Sequence, residues 1–175
     1  MENFIRLSRS GELDIDVRLV LSSSAKAPAL SKAKAASVQA LHVSSKGTTA
    51  ESYSKALFAA ATRAGAESIL LAGFLKRLII PPAWEGRVLN IHPSLLPAFG
   101  GPGYYGHHVH AAALERGVKL SGCTVHLVDN QYDNGPILLQ RSCPVLPGDD
   151  PDSLAARVFE LELLAFPEAV REYLL

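Results

Sequence analysis

Residues 52–73 read SYSKALFAAATRAGAESILLAG, and this stretch decides the fold. Its first part, 52–64, is rich in alanine, the strongest helix former, and Gly65 supplies a stop. Residues 68–72 (SILLA) form a short, continuous apolar run ending at Gly73, the pattern of a strand buried on both faces. A helix that delivers the chain into such a strand is the repeating unit of a parallel sheet with crossover helices.

The same alternation extends outward from that stretch. Upstream, 40–43 and 17–21 read as strands, 29–36 as a helix, and 1–10 as a short amphipathic helix carrying Phe4, Ile5 and Leu7 and closed by Gly11. Downstream, 87–91 (RVLNI) is a strand running into His92-Pro93, and 107–116 a helix. Residues 123–128 and 137–140 are strands around the turn Asp133-Asn134-Gly135-Pro136. Residues 152–174 are a last helix, which Pro167 is expected to kink or break. The pattern predicts one α/β domain over 1–175, Rossmann-like, with a mostly parallel sheet flanked by helices. In such sheets ligands sit beyond the carboxyl ends of the strands, so those ends are where chemistry is sought.

Composition narrows the function classes. A chain of 175 residues, 48% hydrophobic and 19% charged, suits one soluble globular domain. Seventeen basic residues balance seventeen acidic ones, so no global field draws nucleic acid or an anionic membrane to it. Cys123 and Cys143 lie in apolar segments without C-x-x-C spacing and are expected to be buried free thiols. No apolar stretch is long enough for a bilayer and the first ten residues lack a signal-peptide core, which predicts a cytoplasmic protein.

The residues with chemical promise fall in two pieces. The first is Asn90-Ile91-His92-Pro93-Ser94-Leu95-Leu96-Pro97. Side chains two apart on a strand share a face, so Asn90 and His92 point together while Ile91 points away, and Pro93 ends the strand. An amide and an imidazole therefore meet at a strand end, although an isolated Asn-x-His is most often a structural pair. The second piece is Gly122-Cys123-Thr124-Val125-His126-Leu127-Val128-Asp129, followed by Tyr132-Asp133-Asn134-Gly135-Pro136. Taken alone, Asp133 there is an ordinary turn residue. His107 and His110 also have the spacing of two metal ligands on one helix face, but nothing nearby completes a tetrahedral set.

Together, the patterns N-I-H-P-S-L-L-P, G-C-T-V-H-x-V-D and Y-D-x-G-P-I-x-x-Q resemble the folate-dependent formyltransferase family, from about Val17 to the last helix. The resemblance implies a formyltransferase fold and transfer of a formyl group from the cosubstrate 10-formyltetrahydrofolate. It implies Asn90, His92 and Asp133 as the catalytic residues. Leu75, Lys76, Arg77 and Leu78, in the segment Ala72-Gly73-Phe74-Leu75-Lys76-Arg77-Leu78, would line the folate pocket, together with Asn90, Val128 and Asp133. Glu162 would contact the ribose of a nucleotide substrate. No metal is implied.

The residues after the histidine separate the branches. The hydrolase that deformylates formyltetrahydrofolate reads H-H-S-F-L-P and the initiator-tRNA enzyme H-G-S-L-L-P. This chain has H-P-S-L-L-P, similar to the branch that formylates the amine of glycinamide ribonucleotide in purine synthesis. The expected partners are those two small molecules, with neither nucleic acid nor membrane. Two other readings remain open: a formyltransferase for another amine, such as an amino sugar nucleotide, and an inactive folate-binding protein.

The chain departs from the family pattern at its start. The family opens with a strand and a Gly-rich loop leading into the first helix, whose amides bind the substrate phosphate. Here Met1 falls just inside that helix, so the domain is expected to be truncated at its N-terminus and its activity reduced. Loss of a central strand leaves neighbours with unpaired edges, and the chain is expected to aggregate or to form a homo-oligomer that covers the gap. Ala50 is a smaller departure, where the family often carries a basic residue.

Overall fold

In the computed structural model, which describes residues 1–175, the chain forms two compact units, residues 1–69 with 76–82 and residues 70–75 with 83–175. The first unit contains α1 (Glu2–Ser10), β1 (Leu19–Ser22), α2 (Pro28–Ala35), β2 (Gln39–His42) and α3 (Ala50–Arg63). α1 is amphipathic as expected, burying Phe4, Ile5 and Leu7, and Gly11 ends it in the left-handed conformation that a helix stop requires. β1 and β2 pair in parallel from Leu19 opposite Gln39 to Ser22 opposite His42. α2 is the crossover between them, and it buries Leu30 and Ala33.

α3 starts two residues earlier than the alanine run suggests, because Thr49 caps it. The Thr49 hydroxyl accepts from the Ser52 N–H at 3.2 Å and so satisfies one of the amides left over at a helix start. Its inner face buries Tyr53, Leu57, Phe58, Ala60 and Ala61. On the same face, the Ser54 hydroxyl accepts from the Ile79 N–H at 2.9 Å.

The second unit is built on β3 (Ile69–Ala72), β4 (Val88–His92), β5 (Leu120–Leu127) and β6 (Ile137–Pro144), hydrogen-bonded in that order. α4 (His107–Arg116) and α5 (Pro151–Leu174) complete it, with α5 packed on β5, β6 and α4. Hydrogen bonding thus divides the strands into two sheets, with β1 and β3 each at an edge. The mixed α/β architecture agrees with the sequence, but the direction of the strands around the site does not follow the parallel rule. β5 runs antiparallel to both of its neighbours, β4 and β6. The loop between β5 and β6 is too short for a crossover and dictates a hairpin.

β5 and β6 are also longer than their apolar runs. Residues 121–126 of β5 are all buried, so its backbone pairs throughout and draws the more polar Arg141 and Ser142 into the ladder. α5 continues through Pro167 without the expected break. The proline lies on the helix face that also buries Ala165, Phe166, Ala169 and Val170. A helix-interior proline costs about 3 kcal/mol, and full burial of two side chains such as Phe166 and Val170 is worth at least as much. The start of α5 is set by a capping box between Asp150 and Ser153, reinforced by a two-pronged Arg157–Asp149 pair at 2.7 and 2.8 Å.

Both cysteines are free and buried, and burial pushes the Cys123 thiol up to about 12, far from a reactive thiolate. No helix is long and apolar enough to cross a membrane.

Candidate active site

Asn90 and His92 project from one face of β4, as their spacing requires, and the strand ends at His92 before Pro93. Antiparallel pairing sets Asn90 directly opposite His126 and His92 directly opposite Thr124 on β5. Residues facing each other across such a pair have their side chains on the same side of the sheet, close enough to bond. At His126 the ladder between β5 and β6 slips: Val125 faces Leu139 while His126 faces Ile137, leaving Leu138 as the extra residue of a bulge. Bulges of this kind bend a strand and re-aim side chains next to it.

The hydrogen bonds of His92 and His126, both buried, fix their tautomers. His92 Nε2 lies 2.8 Å from the Phe99 carbonyl oxygen, which only accepts, so Nε2 carries the proton and donates. His126 Nδ1 lies 2.8 Å from the Leu127 carbonyl oxygen and donates in the same way. The remaining nitrogens, His92 Nδ1 and His126 Nε2, both face Asp133, at 3.5 Å from Oδ2 and 3.6 Å from Oδ1. His126 Nε2 also lies 3.0 Å from Asn90 Nδ2. At that shorter distance it accepts an N–H from Asn90, and the 3.6 Å contact to Asp133 is electrostatic rather than a hydrogen bond.

Asp133 is held in the β5–β6 loop with its backbone in the left-handed region, φ 51°, which aspartate tolerates better than most residues. Its Oδ2 accepts the Gly101 N–H at 2.9 Å. The loop closes through the Leu127 N–H, which donates to the Pro136 carbonyl at 2.9 Å. Gly135 makes that closure possible, since a Cβ there would lie 2.0 Å from the Leu127 carbonyl oxygen.

Burial pulls the His92 imidazolium below its ordinary range; the Asp133 carboxylate and the Phe99 carbonyl oppose this, and the His126 ring adds to it. For Asp133, burial acts upward, but the neighbouring His126 ring, the Gly101 N–H and His92 together hold the carboxyl below its usual range. The two shifts fit one resting state, an ionised Asp133 beside a neutral His92. At His92 desolvation is the larger effect and the neighbouring carboxylate the smaller one.

The segment after His92 is pinned from β5 and β6. Thr124, fully buried, donates its hydroxyl to the Ser94 carbonyl at 2.7 Å and accepts the Leu96 N–H at 3.0 Å. Gln140 donates to the Thr124 hydroxyl at 2.9 Å and to the Leu96 carbonyl at 3.0 Å. Single-residue reasoning misses His126, Thr124 and Gln140 as parts of the site. Their signal was the antiparallel register, which apolar patterning does not disclose.

The other expected residues are not joined to this cluster by any hydrogen bond or ion pair. Leu75 is exposed, as are Lys76 and Arg77, whereas Leu78 is buried. Val128 is half-buried and donates its N–H to the Val88 carbonyl at 2.8 Å. Glu162, half-buried on α5, has no hydrogen-bond or ion-pair partner, and burial raises its carboxyl to about 7. His107 is exposed and pairs with Asp152 at 3.2 Å, while His110 is buried with Nδ1 unpartnered, so the two do not form a ligand pair.

An amide, an imidazole and a carboxylate thus converge at the end of β4. The family model described as formyl transferase matches residues 1–170, and the chain belongs to that family. It is 35% identical over 173 residues to phosphoribosylglycinamide formyltransferase of Escherichia coli (strain K12), covering 95% of this chain and 78% of that protein. It is 43% identical over 158 residues to the trifunctional purine biosynthetic protein adenosine-3 of Drosophila melanogaster, covering 89% of this chain but only 11% of that protein. The fold superposes on glycinamide ribonucleotide transformylase 1 from Symbiobacterium toebii with a TM-score of 0.89 and 38% identity, over 97% of this chain and 79% of that one.

Proposed function

We propose that this chain transfers the formyl group of 10-formyltetrahydrofolate to the amine of glycinamide ribonucleotide, as a cytoplasmic step of purine biosynthesis. The observation that carries this reading is the convergence of Asn90, His92 and Asp133, linked through His126 by contacts of 3.0 to 3.6 Å. Asn90, His92 and Asp133 are taken as the catalytic residues. Leu75, Lys76, Arg77, Leu78 and Val128 would contact the folate, and Glu162 the nucleotide.

The chemistry follows from the resting state. The substrate amine attacks the formyl carbon; a C–N bond forms, and the carbonyl π pair moves onto oxygen. Asn90, with one N–H given to His126, offers its other N–H to that oxygen, and a preorganised donor of this kind acts most strongly as negative charge develops. The attacking nitrogen becomes cationic and must lose a proton. His92 Nδ1, unprotonated and facing the Asp133 carboxylate, receives it, directly or through water, and the resulting imidazolium is stabilised by the adjacent anion. The tetrahedral adduct then collapses: the bond from carbon to the folate nitrogen breaks, and that nitrogen takes the proton from His92. The products are the formylated amine and tetrahydrofolate.

The test is transfer of labelled formyl from 10-formyltetrahydrofolate to glycinamide ribonucleotide, run beside an amino sugar nucleotide and an acceptor-free control. Turnover with glycinamide ribonucleotide alone is expected. Preference for the amino sugar nucleotide overturns the acceptor, and folate binding without transfer to any amine overturns the activity.

A further inference from the structure

Asn90 can act as a donor only if its amide is turned the right way, and a side-chain amide has two orientations of similar shape and opposite polarity. What breaks the tie here is His126. It is almost completely buried and sits directly opposite Asn90 in the ladder. The carbonyl of its own neighbour, Leu127, occupies the Nδ1 proton at 2.8 Å, so Nε2 is left as a lone pair aimed at Asn90, 3.0 Å away. A lone pair there accepts N–H and repels a carbonyl oxygen. It therefore selects the Asn90 orientation with nitrogen toward the histidine.

A second consequence separates the two histidines beside Asp133. Both present an unprotonated nitrogen to the carboxylate, at 3.5 Å for His92 and 3.6 Å for His126. Only His92 is unengaged on that side, because the lone pair of His126 already holds the Asn90 N–H. Protonating His126 would break that bond and turn the amide over, whereas protonating His92 breaks nothing. The proton is thereby directed to His92.

We infer that His126 is a positioning residue, which sets the orientation of the Asn90 amide through a tautomer imposed by the Leu127 carbonyl and leaves His92 as the proton acceptor. The inference rests on the formyl-transfer reading for its kinetic consequence but not for the tautomer itself. The experiment has two parts on the same full chain. In the first, nitrogen NMR of the wild-type protein, with the His126 signals assigned by their loss in His126→Gln, should find Nδ1 protonated and Nε2 bare. A protonated Nε2 with a bare Nδ1 overturns the inference whatever the activity.

In the second, His126→Leu fills the space but cannot accept, and it should lower kcat about 10- to 100-fold with the folate KM within about threefold, the pattern of a lost transition-state contact. His126→Gln places a carbonyl oxygen near the old Nε2 position and should recover most of that loss. Equal damage from Leu and Gln, or a rise in KM alone, overturns the positioning role. A folded His126→Leu protein, checked by circular dichroism, is required for the kinetic comparison; if it does not fold, the Gln variant and the tautomer decide. Wild-type protein without formyl transfer would sink the functional reading while leaving the tautomer result standing.

Discussion

The strand pair β4–β5 and the segment from Gly73 to Ile79 both carry residues assigned to the site, yet they are held very differently. Along β4–β5 and in the loop after β5 each side chain proposed as catalytic is fixed by a named partner: His92 by a carbonyl, Asn90 by His126, Asp133 by the Gly101 N–H. In residues 75–78 the side chains divide by burial instead, with Leu78 inside and Leu75, Lys76 and Arg77 at the surface. Proton transfer and donation to a developing oxyanion demand placement to a fraction of an ångström, which ladders and short hydrogen bonds provide. Recognition of a large, partly apolar cosubstrate depends on exposed surface and tolerates a looser segment. The contrast predicts that changes in the first region act on kcat and changes in the second on KM.

The hardest way to break this division is His92→Ala. It should lower kcat by about 10²- to 10⁴-fold, the usual worth of a positioned acid–base group, while the folate dissociation constant stays within about threefold. A proportionate loss of folate affinity in titration calorimetry would contradict it. Gly135→Ala attacks the backbone rather than the chemistry. Its Cβ would lie 2.0 Å from the Leu127 carbonyl oxygen, so the loop must shift, at about 2–4 kcal/mol or a drop of roughly 4–12 °C in Tm. An unchanged melting curve would show that the closure is not tight.

Asp133→Asn sharpens the electrostatic side. The carboxylate raises His92 against burial, so its removal should lower the imidazolium pKa further. His92 must be neutral to accept the proton, so the acid limb of the kcat profile should sit below pH 6.5 and move to still lower pH in the variant, with lower activity on the plateau. A limb that stays in place removes Asp133 from this role. Smaller still, Leu75→Ala should change stability by no more than about 0.5 kcal/mol and raise the folate KM a few-fold, whereas Leu78→Ala should cost about 2–4 kcal/mol through the cavity it leaves. If both variants melt alike, the segment is not divided as described.

Glu162 offers a test outside both regions. Its carboxyl titrates near 7, above its unfolded value of 4.5, because burial disfavours the charge. A raised folded pKa means that this stability is complete below about pH 4.5 and is lost as pH rises through about 7. Glu162→Gln should therefore flatten that part of the stability curve and leave the variant more stable than the parent at pH 8, by about 1–3 kcal/mol. Denaturant titrations at pH 5 and pH 8 check the sign.

Much of this arrangement was legible in the sequence because local rules carry it. The spacing of Asn90 and His92 places them on one face in any strand, Pro93 ends that strand in any sheet, and Gly11 and Gly65 close helices through their own conformational freedom. Apolar alternation likewise disclosed an α/β chain. Partners distant in sequence stayed hidden. Nothing local announces that His126 faces Asn90, since that depends on β5 running antiparallel to β4 and on a register with a bulge. The extension of β6 through Arg141 and Ser142, and the survival of α5 across Pro167, have the same origin: burial against a neighbour outweighed the preference of the residues themselves. The resting charge of His92 also lay beyond pattern reading, because it depends on how much burial outweighs the carboxylate.

The unbroken burial of residues 121–126 carries a consequence for how the molecule comes apart. A strand covered on both faces and paired on both edges opens only when its whole unit opens, so amide protons along β5 should exchange with solvent on the timescale of global unfolding. His126 and Thr124 sit on that strand, and Asn90 and His92 on the one beside it. These four residues are thus part of the most slowly exchanging portion of their unit, whereas Asp133 lies in the loop between β5 and β6. On heating, these four side chains should lose their arrangement only as β5 itself opens, so their signals and the strand's should melt along one curve.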